Sequence, residues 1–171
     1  MTYYLIKKQT MLITAYELIN SGVPMSDDIR TEEIDFAIKT VEFTYLKPLI
    51  TPDYYMTLTT STLSDDDYKV VNGDNSIAGL KSALYHLVWA YLTYDRFRLT
   101  RYTTVMKDDE HSTDPSEDEI MSLCAFHWET GLTMVIDALT AYEHEPSTEI
   151  TPQPPFAELA FPYYTKPKHN R

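Results

Sequence analysis

The chain has 171 residues, 43 % apolar and 23 % charged, with a net charge of −12. That length fits one domain, and that apolar share is enough for a core. Fourteen Lys and Arg against twenty-six Asp and Glu leave little basic surface for gripping a nucleic-acid backbone, because phosphate neutralisation supplies most of that affinity.

The one cysteine, Cys124, excludes an intramolecular disulfide and a Cys-rich zinc site. Its apolar helical surroundings predict a buried thiol. Residues 1–21 lack the apolar run and small-residue cleavage site of a signal peptide. The longest apolar stretch, around Leu84 to Leu92, contains His86 and ends at Asp95-Arg96, too short to span a membrane. Fourteen Tyr is a heavy load of a residue suited to half-wet core edges and to interfaces.

In chain order, Thr14 and Glu17 form a capping box that predicts a short helix, closed by Asn20-Ser-Gly-Val-Pro. A long helix is predicted from Thr31, with Glu32 and Glu33 in its first turn and a stripe of Ile34, Ala37, Ile38, Val41 and Tyr45. Pro48 should stop it near Lys47. Pro52 opens a short helix reaching about Thr60. Residues 61–73 read as a polar loop around Asp65-Asp66-Asp67. A second long helix is predicted from Asn75 or Ser76, with Ile77, Leu80, Leu84, Leu87, Val88, Tyr91 and Leu92 as its stripe. Trp89, Ala90 and Tyr94 widen that stripe, which predicts a central position. Arg96, Arg98 and Arg101 cluster at its end.

A long break follows at 100–115, with Tyr102 to Val105 favouring a strand-like piece. Ser116 and Glu119 form a capping box for a third long helix, striped by Ile120, Leu123, Cys124, His127, Leu132, Val135, Ile136, Leu139 and Tyr142. Gly131 weakens its middle and marks a close helix crossing. The tail carries Pro146, Pro152, Pro154, Pro155, Pro162 and Pro167, yet also Phe156, Leu159, Phe161, Tyr163 and Tyr164. Prolines exclude regular structure there, and the aromatics predict an arm that lies on another surface. The alternative is a tail folded back on its own bundle. The expected architecture is all-α: a small bundle of three long helices with short ones, spanning 1–144, and an extended arm at 145–171.

Catalytic signatures are scarce. A di-iron carboxylate bundle needs Glu-x-x-His pairs, and none occurs; His86 and His127 each stand alone on their helices. Asp65-Asp66-Asp67 lacks the alternation, glycine and closing Glu of a calcium loop. There is no nucleophile elbow, and four isolated glycines cannot make a phosphate loop. The expectation is a non-catalytic protein with no cofactor and no metal.

The segment Ile34-Asp-Phe-Ala-Ile-Lys-Thr-Val-Glu-Phe-Thr-Tyr-Leu-Lys-Pro-Leu-Ile, followed by Thr51-Pro-Asp-Tyr-Tyr-Met-Thr-Leu, resembles the head–tail connector (adaptor) proteins of tailed bacteriophages. In that family an amphipathic helix ends in an Ile/Leu-x-Pro element, and a short helix follows. Residues 75–95 and Thr100-Arg-Tyr-Thr-Thr-Val-Met-Lys-Asp-Asp-Glu-His-Ser look like versions from crAss-like phages. The resemblance covers about residues 11–142. The sequence departs from the family where Leu-Gly often precedes the short helix: here it is Leu49-Ile50-Thr51.

The resemblance implies a virion neck protein, assembled in the bacterial cytoplasm. Copies would form a ring, typically of twelve, between the portal protein and the next neck or tail ring protein. Genome DNA would pass through the lumen without specific binding, and no membrane is involved. Residues 98–113 and 145–171 would carry the contacts, with Arg98, Arg101, Tyr102, Val105, Phe156, Leu159, Phe161, Tyr163 and Tyr164 as the candidates. The rival readings are a tail-completion or tail-ring protein, a small cytoplasmic interaction or regulatory protein, and a metalloenzyme bundle.

Overall fold

A computed structural model describes residues 11–23, 25, 29–60, 62–102, 117–147 and 153–156. Among them the chain is mostly helical and has no strand. The helices are α1 (Ala15–Ile19), α2 (Thr31–Val41), α3 (Lys47–Ile50), α4 (Pro52–Thr60), α5 (Asp65–Asn72), α6 (Leu80–Tyr102) and α7 (Glu117–Ala141). A π-helical stretch, Glu42–Leu46, joins α2 to α3. No helix among the described residues is long and apolar enough to cross a membrane.

The predicted capping box at α1 is present: the Thr14 hydroxyl accepts from the Glu17 amide, and the Glu17 carboxylate accepts from the Thr14 amide. Glu17 also meets Lys81 of α6 at 2.6 Å. Burial pushes the Glu17 carboxyl up, but the bonds from Lys81 and Thr14 outweigh it and hold the group below its usual range. The α2 stripe Ile34, Ala37, Ile38 and Val41 is buried as predicted.

Pro48 does not stop that helix. A proline inside a regular helix lacks the amide that would bond four residues back, and its ring crowds that carbonyl. Here the preceding turn widens instead. The Lys47 amide reaches back to the Glu42 carbonyl, a five-residue step, and the chain stays helical to Ile50. Thr51 then breaks it at φ 71° and ψ 142°, a backbone region that a β-branched residue rarely occupies.

The π stretch presents Glu42 inward. Its carboxylate has no exposed surface and is the one charged side chain among the buried described residues. Oε1 accepts from the amides of Leu12 at 2.9 Å and Ile13 at 3.3 Å. Oε2 accepts from the Tyr55 hydroxyl of α4 at 2.6 Å. All three partners donate, which suits an ionised carboxylate. Desolvation nonetheless pushes the Glu42 carboxyl above its ordinary value of 4.5, with the Tyr55, Leu12 and Ile13 bonds opposing.

The predicted loop at 61–73 is instead mostly the helix α5. Ser64 caps it by accepting from the Asp67 amide, the three aspartates occupy its first turn, and Val70 and Val71 are buried. Acidic residues belong at that end of a helix, so the acidic run that suggested solvent is a helix start. The second long helix begins later than predicted, at Leu80. The Asp74 carboxylate takes the amides of Ser76 and Ile77 and folds residues 74–77 into a turn. Gly79 lies against Gly73: a Cβ there would fall 2.2 Å from the Gly73 nitrogen, so no side chain fits. The helix also runs on to Tyr102, through the predicted start of the break.

On α7, Met121, Cys124, Trp128, Gly131, Val135 and Ala138 are buried at alternating three- and four-residue steps, and Leu139 is buried beside them. That is the heptad pattern of a helix seam. On α6, Leu80, Ala83, Leu87, Ala90 and Tyr94 repeat it, and α6 and α7 form the largest helix pairing in the fold. Gly131 marks the tight crossing, as predicted: a Cβ there would lie 2.7 Å from Leu87 Cγ and 2.9 Å from the Ala83 carbonyl. Leu123 and Ile136, predicted for the apolar stripe, are exposed instead. The seam follows Met121 and Trp128, one helical phase away.

After α7 the chain turns back. Glu143 adopts φ 60°, and the His144 amide bonds the Leu139 carbonyl at 2.9 Å, a Schellman closure with Glu at the position glycine usually fills. Tyr142 donates to Asp74, His144 stacks on Tyr54, and the Ser147 amide bonds the Leu49 carbonyl.

Removing the Glu42 carboxylate strands three donors at once. Glu42→Ala is expected to cost about 3 kcal/mol in chemical denaturation at neutral pH. Glu42→Gln should cost less and should change the pH dependence. A raised folded-state value means the native state holds the proton more tightly than the unfolded chain. Stability from that source is therefore full below 4.5 and declines as pH rises through the raised value. The stability advantage of wild type over Glu42→Gln should shrink over that window; an advantage that grows there refutes the assignment.

Candidate interaction surface

The predicted contact residues fall into three groups. Arg98, Arg101 and Tyr102 lie on the last turns of α6. Val105, Leu159, Phe161, Tyr163 and Tyr164 lie outside the described residues. Phe156 is buried, only 7 % exposed, with its ring 5.6 Å from Tyr94 and 6.2 Å from Trp128. Up to Phe156, then, the described parts of the tail fold back on their own bundle. Phe156 belongs to the core rather than to an outward surface, because α6 and α7 leave an aromatic slot at Tyr94 and Trp128 that it fills.

The sequence reading missed an outward apolar surface on the helices themselves. Phe36 on α2 is 66 % exposed and Phe126 on α7 is 61 % exposed. Tyr16 and Ile19 on α1, Met56 on α4, Tyr68 on α5, and Leu123 and Ile136 on α7 are exposed as well. Asp118, Glu119, Ser122, Leu123 and Phe126 line a shallow open depression. Both α2 and α7 pack on α6, so Phe36 and Phe126 stand on different helices. The available signal was phase: once the α7 seam is set by Met121, Cys124 and Trp128, Leu123 and Phe126 must point outward.

Two histidines read as solitary meet across the seam. His86 Nδ1 and His127 Nδ1 are 2.8 Å apart, and the Trp89 ring lies 4.2 Å from His127. Phe126 meets His127 edge-on. Cys124 is buried, as predicted, and burial pushes its thiol up to about 11, so it remains protonated and unreactive at neutral pH. Asp65, Asp66 and Asp67 form no cation cage: Asp67 is engaged by Ser64 and Tyr54, and Asp66 meets Lys69. No group of three or more His, Cys, Asp or Glu among the described residues is arranged to hold a metal ion.

Comparison with family models, with curated proteins and with solved structures finds no match for this chain.

Phe156→Ala is expected to destabilise the fold by about 3 kcal/mol, the cost of emptying a buried aromatic site. Thermal or denaturant unfolding measures it directly. A loss below about 0.5 kcal/mol, typical of a surface position, would mean that the tail is not part of the bundle.

Proposed function

We propose that this chain is a structural subunit of a multi-copy assembly, and that the assembly is a ring in the neck of a tailed phage, joining portal to tail. The observation that carries the reading is the set of large exposed apolar side chains on an acidic molecule, with Phe36 on α2 and Phe126 on α7 on different helices. A ring closes through head-to-tail contacts, so each subunit needs two different adhesive faces. An isolated apolar residue on a surface means little; several large ones exposed on a small domain are a mark of protein contact.

The resemblance to connector proteins draws further support from the order of elements. A long helix runs on through a π turn and Pro48 to Ile50, and a short helix follows from Pro52. Between them, Thr51 occupies a positive-φ conformation that suits glycine, at the junction where the family often has Leu-Gly. The net charge of −12 fits a lumen past which DNA slides without adhering. In this role the acidic surface and the patches do the work, and no bond is made or broken.

The test is assembly. Purified protein, alone and with the portal protein of the same phage, is expected to form rings visible by negative-stain electron microscopy and by sedimentation. Phe36→Asp and Phe126→Asp should each abolish rings while leaving the unfolding midpoint nearly unchanged, since both side chains are already in water in the monomer. A protein that stays monomeric in both settings, or rings that survive both substitutions, would overturn the proposal.

A further inference from the structure

The His86–His127 pair has a geometry that limits how many protons it can carry. The ring centres are 5.0 Å apart, the Nδ1 atoms 2.8 Å apart and the ring planes inclined by 29°. The centre separation exceeds the nitrogen separation by just about two imidazole radii. The rings therefore meet nearly head-on, nitrogen to nitrogen, rather than face to face. At that distance one nitrogen must donate and the other accept.

Proton bookkeeping follows. With both rings neutral, one carries its proton on Nδ1 and the other on Nε2. A first added proton goes to the free Nε2 of the donor ring. The result is an imidazolium donating to a neutral imidazole, which strengthens the bond. A second proton must go to the acceptor Nδ1 itself. Two N–H groups then point at each other, each on a positive ring, and the contact cannot persist.

Burial disfavours that second charge. Burial is the influence acting on His86; burial, then the charge of His86, act on His127, and both rings are held below the ordinary 6.5. No carboxylate, ammonium or guanidinium among the described residues contributes to either. The next titratable groups along the two helices are Tyr85 and Tyr91 on α6 and Cys124 and Glu129 on α7. Tyr85 responds to burial, Glu17 and Lys81 rather than to the pair, and the Cys124 thiol stays neutral. Trp89 and Phe126 wall His127 with aromatic rings.

The pair also stands beside the tightest point of the α6–α7 seam. His86 adjoins Leu87, which lies against Gly131, one turn beyond His127. We propose that His86 and His127 form an acid-operated latch on this seam, closed with no added proton or one and opened by the second. Phe126 packs on His127, so opening also disturbs the outward patch around Phe126. That last consequence rests on the proposed interface; the latch itself does not.

Imidazole chemical shifts of the full chain, followed by NMR from pH 8 to pH 4, test the latch. The two rings are expected to titrate in two macroscopic steps whose proton affinities differ by more than tenfold, both below 6.5. Near-ultraviolet dichroism of the flanking tryptophans should change with the second step and not with the first. In His127→Gln, which keeps a polar group without the titration, His86 should show one step, and the dichroism change should vanish from that pH range. Two steps of nearly equal affinity would overturn the latch, as would a dichroism change at unaltered pH in His127→Gln. Both arms read the seam, not assembly, so a failed ring assay leaves them intact.

Discussion

Glu42 places a carboxylate where water cannot reach it and surrounds it with three hydrogen-bond donors from two separate stretches of chain. Burying a lone charge is costly, and truncating one partner of a buried charge network costs several kcal/mol. The donors therefore hold one another in place through Glu42. Leu12 and Ile13 are pinned at the entry to the fold, immediately before the Thr14 cap that starts α1. Tyr55 is pinned on α4, beyond the Thr51 break. Rings gather on the same spot: Phe43 lies 5.8 Å from Tyr55, and the Lys47 ammonium sits over both. The widened turn demanded by Pro48 begins at Glu42, whose carbonyl receives the five-residue bond. The backbone irregularity and the buried charge are thus parts of one local arrangement.

The other organising feature is the α6–α7 seam. Its heptad spacing brings two long helices together, and Gly131 lets them approach closely at Ala83 and Leu87. A helix buried on more than one side must be apolar nearly all round. α6 fits that description, with Leu84, Val88 and Leu92 buried as well as the seam residues. The return of the chain through Tyr142, His144 and Ser147 ties the end of α7 to the turn after α5, to α4 and to α3. Phe156 then enters the aromatic slot of Tyr94 and Trp128.

Much of this was legible in the sequence where one local rule dominated. The Thr14–Glu17 box, the α2 stripe, the start of α4 at Pro52 and the tight crossing at Gly131 each rest on near-neighbour chemistry. The misreadings arose where a local rule met a tertiary one. Pro48 should end a helix, but a π turn accommodates it and keeps α3 attached. Asp65 to Asp67 look like loop, but Ser64 before them and Val70-Val71 after them make a capped amphipathic helix. Leu123 and Ile136 look like core until Met121 and Trp128 fix the phase of α7. Glu42 and the His86–His127 pair could not be found along the chain, because their partners lie 13 to 41 residues away. The outward patches at Phe36 and Phe126 were hidden for the same reason: exposure is decided by which face packing selects.

The packing keeps the Glu42 network and the α6–α7 seam inside and leaves Phe36 and Phe126 on the outer faces of α2 and α7. The whole account leans on the buried Glu42 carboxyl and the three donors gathered on it. The most direct test is a pH titration of the Glu42 side-chain carboxyl carbon by NMR in the folded protein. The account predicts a midpoint above the ordinary 4.5, with the Leu12 and Ile13 amide shifts moving in step. A midpoint at or below 4.5, or amide shifts that ignore the titration, would contradict it.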